Sequence, residues 1–523
     1  MPENPLARGA TALLLALTAA LLLFRLGRVP LIGPDEPRYA RVAVEMHRAG
    51  SFLVPTLQGQ PWLEKPPLYY WLAGVAFSLF GETEAAARLP SVLAALLLVA
   101  GTALIGARLY GVEAGLHAGF VAATAPLAFA YGRAAAMDML LAATVTCAVG
   151  LMALRLLGLA GRSAVPAAWL CMALATLAKG PLGLALPGLI VAGYIVATRQ
   201  WNLARTVLSP AGIALFLLVA APWYVLMWLD QGRAFVDVFL LNHNLQRFTS
   251  TIHRHPGPIL YYVPVLVAGV FPWSGLSLAG LATPKPTRSR VDLFVLVWLV
   301  LPFLFFSAAG SKLPGYILPC LPPLALLTGR AAHQMALGEL RGPLGTGTRA
   351  AAMVTLLLAC VLAAAPLYLR SIGEPDWRLA IPFAAWALLV GLGLRLRARR
   401  DPAGALGLLR VGAAGMLVLL AWAAPPILAR RESGRSLFAR TAGQPVLVWG
   451  AWRTAWMAGY FYNDGQVREV AGEHEIAGAA SAGPVFVMAG PGERRRLEAA
   501  PGLAVTAAAE GPRSTTLLVV RRR

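Results

Sequence analysis

Long apolar runs separated by short polar breaks fill the first four-fifths of the chain. At ~20 residues per bilayer crossing they predict about thirteen membrane-spanning helices. These fall near 8–28, 86–107, 114–131, 137–158, 164–178, 181–198, 207–229, 258–282, 292–309, 315–332, 349–369, 379–396 and 405–428. The run at 66–80 is short and aromatic, and reads as a re-entrant or interfacial helix. Arg8 and the apolar run after it resemble a signal peptide. No small-residue cleavage site precedes Gly33, however, so the run reads as an uncleaved first helix.

Beyond Leu428 the pattern changes. Short β-like runs at 446–450, 485–490 and 515–520 alternate with helix-compatible stretches near 451–461 and 491–500. The expected architecture is therefore an all-α polytopic membrane domain over 1–429, followed by a small α/β extracytoplasmic domain of about 90 residues over 430–523. The second domain shows no catalytic constellation, and the chain shows no internal repeat of solenoid length.

Composition supports the membrane assignment. Of 523 residues, 58% are hydrophobic and only 13% charged, with a mean hydropathy of +0.65, outside the range of soluble globular domains. The formal charge of +21 reads as positive-inside anchoring instead of a nucleic-acid surface. With the amino terminus cytoplasmic, the loops on that side carry Arg108, Arg155, Arg162, Arg199, Arg205, Lys285 and the 395–400 arginines, with few acids. Arg25 and Arg28 fall on the opposite side, where they can snorkel to headgroups. Cys147, Cys171, Cys320 and Cys360 all lie in apolar runs without metal-ligand spacing, and read as packing residues.

Candidate chemistry collects at the extracytoplasmic span ends. Ion-coupled transporters keep charges near the midplane, and these spans do not. The stretch 33–71 opens with Asp35 and Glu36 beside Arg38 and Tyr39. The acids could simply begin a helix, where its dipole favours them, but the neighbouring arginine and tyrosine add capacity for a phosphate. The stretch closes with WLEKPPLYYW, in which Glu64 and Lys65 precede two prolines that hold the backbone extended. Lys65 could be an ordinary snorkelling anchor; a cation fixed at headgroup depth also suits a lipid-linked phosphate. Asp138 begins the fourth span, with Arg133 five residues earlier as its plain structural partner. The 230–257 loop carries Arg247, a second phosphate ligand, together with His243, His253 and His255. Lys312 and Tyr316 sit at the mouth of the tenth span.

Taken in order, DExRY, EKPPLxYW, the span-start Asp138, LAKGP at 177–181, NLQRF, PWS at 272–274 and KLPGYILP resemble the polyprenyl-phosphate-dependent GT-C glycosyltransferases. The subgroup most similar holds the 4-amino-4-deoxy-L-arabinose transferases of lipid A and their dolichyl-phosphate-mannose mannosyltransferase relatives. The resemblance covers roughly residues 10–330. It implies a GT-C fold and inverting sugar transfer from an undecaprenyl-phosphate donor. The acceptor would be a lipid A phosphate or another extracytoplasmic group, reached from the periplasmic face of a bacterial inner membrane. It implies that Asp35, Asp138 and Glu64 serve as catalytic carboxylates, with Glu64 orienting Lys65 or helping to bind a divalent cation. Lys65, Arg38, Arg247, Tyr39, Lys312 and Tyr316 would hold the donor phosphate. No nucleotide-binding glycine loop is present, and the resemblance by itself assigns no metal. Two rival classes stand beside this reading: a flippase for a polyprenyl-linked sugar, and a structural assembly protein. Transfer to a protein hydroxyl or another glycan is the alternative within the enzyme class.

Overall fold

A computed structural model describes residues 5–246, 257–282, 289–338, 343–371, 376–397 and 400–523. Each expected span coincides with helix. The first part of the chain forms α1 (Pro5–Leu23), α2 (Asp35–Ala49), α3 (Leu68–Phe80), α4 (Glu84–Tyr110), α5 (Val112–Thr124) and α6 (Pro126–Gly132). It continues as α7 (Asp138–Leu156), α8 (Ala164–Lys179), α9 (Leu182–Thr198), α10 (Leu203–Val207) and α11 (Pro210–Phe235). Further helices run over Tyr262–Gly269, Ser274–Ala282, Arg290–Ala308, Leu321–Ala336, Pro343–Ser371, Ala380–Arg397 and Pro402–Arg431. Among the described residues, 8 helices are each long and apolar enough to cross a membrane, and 10 if two bent pairs count as single spans. The chain is a multi-span membrane protein. Two expected spans, α8 and α9, are apolar but shorter, and a third is a 3-10 turn (Pro314–Cys320) running into helix 321–336. Helix α3 is likewise too short to span, in keeping with an interfacial position.

Local sequence accounts for the element ends near the first polar stretch. Asp35 and Glu36 occupy the first turn of α2, and Gly50, in the left-handed region, ends it. Thr83 caps α4 by accepting from the Ala86 N–H at 3.2 Å. Between α2 and α3, β1 (Thr56–Leu57) and β2 (Gln60–Pro61) form a small hairpin. The Glu45 carboxylate of α2 accepts from the turn N–H groups of Gln58 (2.8 Å) and Gly59 (3.1 Å).

The chain end carries a five-stranded sheet in the order β4-β3-β5-β7-β6. Its strands are β3 (Val446–Trp449), β4 (Val467–Glu469), β5 (Val485–Ala489), β6 (Leu503–Glu510) and β7 (Thr516–Arg522). Strands β3, β4 and β5 run parallel, and β7 and β6 complete the sheet antiparallel. The three runs expected from the sequence are its three central strands. The edge strands carry weaker signals: β4 has three residues, and half of β6 is alanine. Leu437, Phe438, Val446 and Trp456 of this region share one continuous apolar core with the membrane helices. All four cysteines are free thiols.

Candidate active site

The adjacent acids Asp35 and Glu36 part company in three dimensions. Asp35 stays half exposed (48%) and pairs with the guanidinium of Arg38, one helical turn on. Glu36 turns inward, where both its oxygens meet Arg88 of α4, at 2.7 and 3.1 Å. It also accepts from the N–H groups of Ile32 (2.8 Å) and Ala135 (2.6 Å). Arg88 donates onward to the carbonyls of Leu26, Val29 and Pro30. This buried clamp ties the end of α1, α2, α4 and the segment before α7 together, so Glu36 is structural. The signal for Arg88 was an arginine inside an otherwise apolar helix, where an unpaired charge is too costly to leave.

Around Asp35 the first polar stretch closes into a cluster. Arg38 lies over the Trp62 ring at 5.4 Å and donates from Nε to the Pro34 carbonyl at 2.9 Å. Burial works to lower the Arg38 guanidinium, yet the charges of Asp35, Tyr39 and Glu64 hold it above its ordinary value. Burial, with the Asp35 charge, pushes the Tyr39 phenol well above its usual range, so it is a neutral hydrogen-bond donor. Lys65 is buried, and its ammonium reaches the Glu64 carbonyl at 3.2 Å.

A second cluster forms where α7 begins. Asp138 pairs with Lys179 at the end of α8, at 2.6 Å. Arg133, the partner expected from spacing, points elsewhere. Its guanidinium donates to the carbonyls of Leu22 (2.6 Å) and Phe24 (2.8 Å) and caps the end of α1. Residues 133–137 are not helical, so the five-residue spacing never becomes a shared face. Lys179 belongs to the LAKGP motif, but nothing in its spacing to Asp138 reveals the pair. Its ammonium also lies 4.8 Å from the Tyr316 ring centroid. Gly315 backs onto the same cluster: a Cβ there would stand 2.5 Å from the Tyr131 ring and 2.9 Å from the Asp138 carboxylate. Lys312 is buried beside it and donates to the Ala309 carbonyl at 2.6 Å. The neighbouring Ser311 hydroxyl is buried with no hydrogen-bond partner within the described residues.

The Glu36–Ala135 hydrogen bond joins the two clusters, because Ala135 lies three residues before Asp138. Arg247, His253 and His255 lie outside the described residues. Among the described residues, no group of three or more His, Cys, Asp and Glu side chains could hold a metal ion. Trp273 of the PWS motif is buried and donates to the Thr124 hydroxyl at 2.9 Å, a packing role. An apolar cavity of about 300 Å³ lies between helices 262–282, 290–308 and 321–336, lined by Val263, Leu266, Val270, Phe303 and Leu324 among others.

Residues 64–228 match the family model described as dolichyl-phosphate-mannose-protein mannosyltransferase. The chain is 31% identical over 395 residues to undecaprenyl phosphate-alpha-4-amino-4-deoxy-L-arabinose arabinosyl transferase 2 of Proteus mirabilis, covering 72% of this chain and 70% of that one. A similar likeness, 31% over 407 residues, covers 72% of this chain and 71% of the Edwardsiella ictaluri transferase for the same sugar. The crystal structure of ArnT from Cupriavidus metallidurans bound to undecaprenyl phosphate matches with a TM-score of 0.79 at 26% identity, over 98% of both chains.

Proposed function

The chain belongs to the polyprenyl-phosphate-dependent GT-C glycosyltransferases, and on that footing we propose that it moves an aminoarabinose-type sugar from undecaprenyl phosphate to a lipid A phosphate at the periplasmic face of the inner membrane. It is an integral-membrane glycosyltransferase. Residues 1–429 form its catalytic membrane part and 430–523 an extracytoplasmic domain in this reading. The observation that carries the site is the half-exposed Asp35 carboxylate at the start of α2, held against Arg38, with Glu64 in the field of that arginine and Lys65 buried beside Glu64.

In the reaction an oxygen of the acceptor phosphate attacks the anomeric carbon. The bond from that carbon to the donor phosphate oxygen breaks, and its electron pair leaves with undecaprenyl phosphate. A phosphate is a good leaving group, so the barrier lies in the oxocarbenium-like centre and in the departing charge. Asp35 faces the first, and Lys65, Arg38, Lys312, Tyr39 and Tyr316, with Arg247, address the second. Ser311 offers one more donor to an anionic oxygen. Asp138 comes already paired with Lys179, which makes the two a charge-balanced wall of the pocket. Glu64 sits in the field of Arg38 and Tyr39 and orients Lys65. The apolar cavity between helices 262–282, 290–308 and 321–336 fits a hydrocarbon chain, as a lipid-linked donor requires.

An ionised phosphate acceptor needs no general base, so Asp35 mainly stabilises positive charge. The match to a protein mannosyltransferase model favours a second reading, transfer to a Ser or Thr hydroxyl, in which Asp35 must also take a proton. Mass spectrometry of lipid A from cells with and without the gene tests the choice. A pentosamine on the phosphates that vanishes with the gene and with Asp35→Ala supports lipid A as acceptor. Unchanged lipid A moves the acceptor to protein or glycan.

A further inference from the structure

Three consecutive backbone N–H groups lie just ahead of Asp35, and all three are held from outside their own strap. Leu31 donates to the Tyr462 hydroxyl at 2.7 Å, Ile32 to Glu36 at 2.8 Å, and Gly33 to the Glu432 carbonyl at 3.2 Å. Two of the three acceptors come from the far end of the chain. Leu31 is fully buried, and a buried N–H needs a partner. The Tyr462 hydroxyl itself donates a hydrogen bond to Glu84 at 3.1 Å, and Arg435 sits 2.9 Å from the same Glu84 oxygen.

The turn that follows Tyr462 grips the outer face of α2. Asp464 pairs with Arg41 and with Arg48, the latter at 2.8 Å. These arginines are seven residues apart and share one helix face. Gln58, at the hairpin tip, donates to the carbonyls of Gly465 (2.5 Å) and Val467 (2.8 Å). Gly465 has φ +78°, and a Cβ there would stand 3.3 Å from Arg41 Nε. The close approach therefore depends on glycine.

We infer that the Tyr462–Gly465 turn of the C-terminal domain is a latch that positions Asp35, with Tyr462 as its central positioning residue. Tyr462 touches no reacting atom in this scheme. It fixes the strap from which α2 springs, and with it the direction of the Asp35 carboxylate. The inference rests on the assignment of Asp35 above and extends it to the domain in which no catalytic constellation was legible.

A double-mutant cycle tests it, with the purified full chain in detergent, the undecaprenyl-phosphate-linked sugar and lipid A. Tyr462→Phe should lower kcat about tenfold while leaving KM for the donor within about twofold, because a small displacement of a reacting group costs rate more than binding. Added to Asp35→Asn, the same change should cost less than about twofold, because the group it positions is already gone. An equal fold-loss in both backgrounds, or no loss in the parent, overturns the latch and leaves the Asp35 assignment intact. Full turnover by Asp35→Asn alone overturns both. Should Tyr462→Phe fail to fold, Asp464→Asn carries the test with the same expected pattern.

Discussion

The Glu36 carboxylate meets the Arg88 guanidinium at 2.7 Å, 52 residues away in sequence, with both side chains buried. Removing one charge strands the other in a low-dielectric setting, which costs about 3–5 kcal/mol. Glu36→Gln should therefore lower the melting temperature and the yield of folded protein in detergent. A melting curve equal to that of the parent would refute the clamp.

Asp35→Asn, one residue away, should do the opposite. The side chain is half exposed and the ion pair with Arg38 is local, so the fold should survive while turnover falls about 10²–10³-fold. Side-by-side assays with a phosphate and a hydroxyl acceptor add a second test. The loss should be greater for the hydroxyl, which needs a base; equal losses would sink that distinction.

The Asp138–Lys179 pair predicts non-additivity. Lys179→Met alone leaves the carboxylate without its cation and should destabilise the protein. Asp138→Asn on top of it should restore part of the loss, with a coupling of about 0.5–3 kcal/mol. Thermal unfolding of the two single variants and the double variant measures it, and strictly additive values would show that the pair is not coupled.

Gly315 leaves no room for a methyl group between Tyr131 and Asp138. Gly315→Ala should push the segment carrying Lys312 and Tyr316 away from Asp138. Donor KM should rise and kcat should fall, together by about tenfold or more. Unaltered kinetics would mean that this wall does not shape the pocket.

Two carboxylates of the arm around α2 respond to pH. Burial works to raise Glu45, but hydrogen bonds from Gly59, Arg41 and Gln58 hold it below its ordinary 4.5. Burial likewise works to raise Asp464, but its pairs with Arg41 and Arg48 together hold it below its ordinary value. A carboxylate depressed in the folded state stabilises it fully above the ordinary value, and the gain is lost as pH falls through the lowered one. The difference in melting temperature between the parent and Glu45→Gln should be constant from pH 7 to about pH 5 and shrink below about pH 4.5. A difference that grew on acidification would reverse the assignment.

Much of the architecture follows from hydropathy alone. Apolar run length sets how many helices can cross a bilayer, and each run from 8–28 to 405–428 became helix because hydrocarbon forces every backbone group to bond within its own segment. The apolar runs at 446–450, 485–490 and 515–520 likewise became strands, since a sheet centre needs β-branched, apolar residues. The order of the polar motifs along the chain also pointed to the family, because that order is specific where each motif alone is weak.

Only the tertiary structure decided which charge meets which. Asp35 and Glu36 are neighbours of one type, yet one stays half exposed beside Arg38 and the other is sealed against Arg88. Asp138 chose Lys179, 41 residues on, over the nearer Arg133, and the domain without motifs supplied Tyr462 to the strap before Asp35. Burial is a sum over a local run and can be read one stretch at a time. A salt bridge or a hydrogen bond acts only over a few ångströms, so it exists only once folding has brought distant segments side by side.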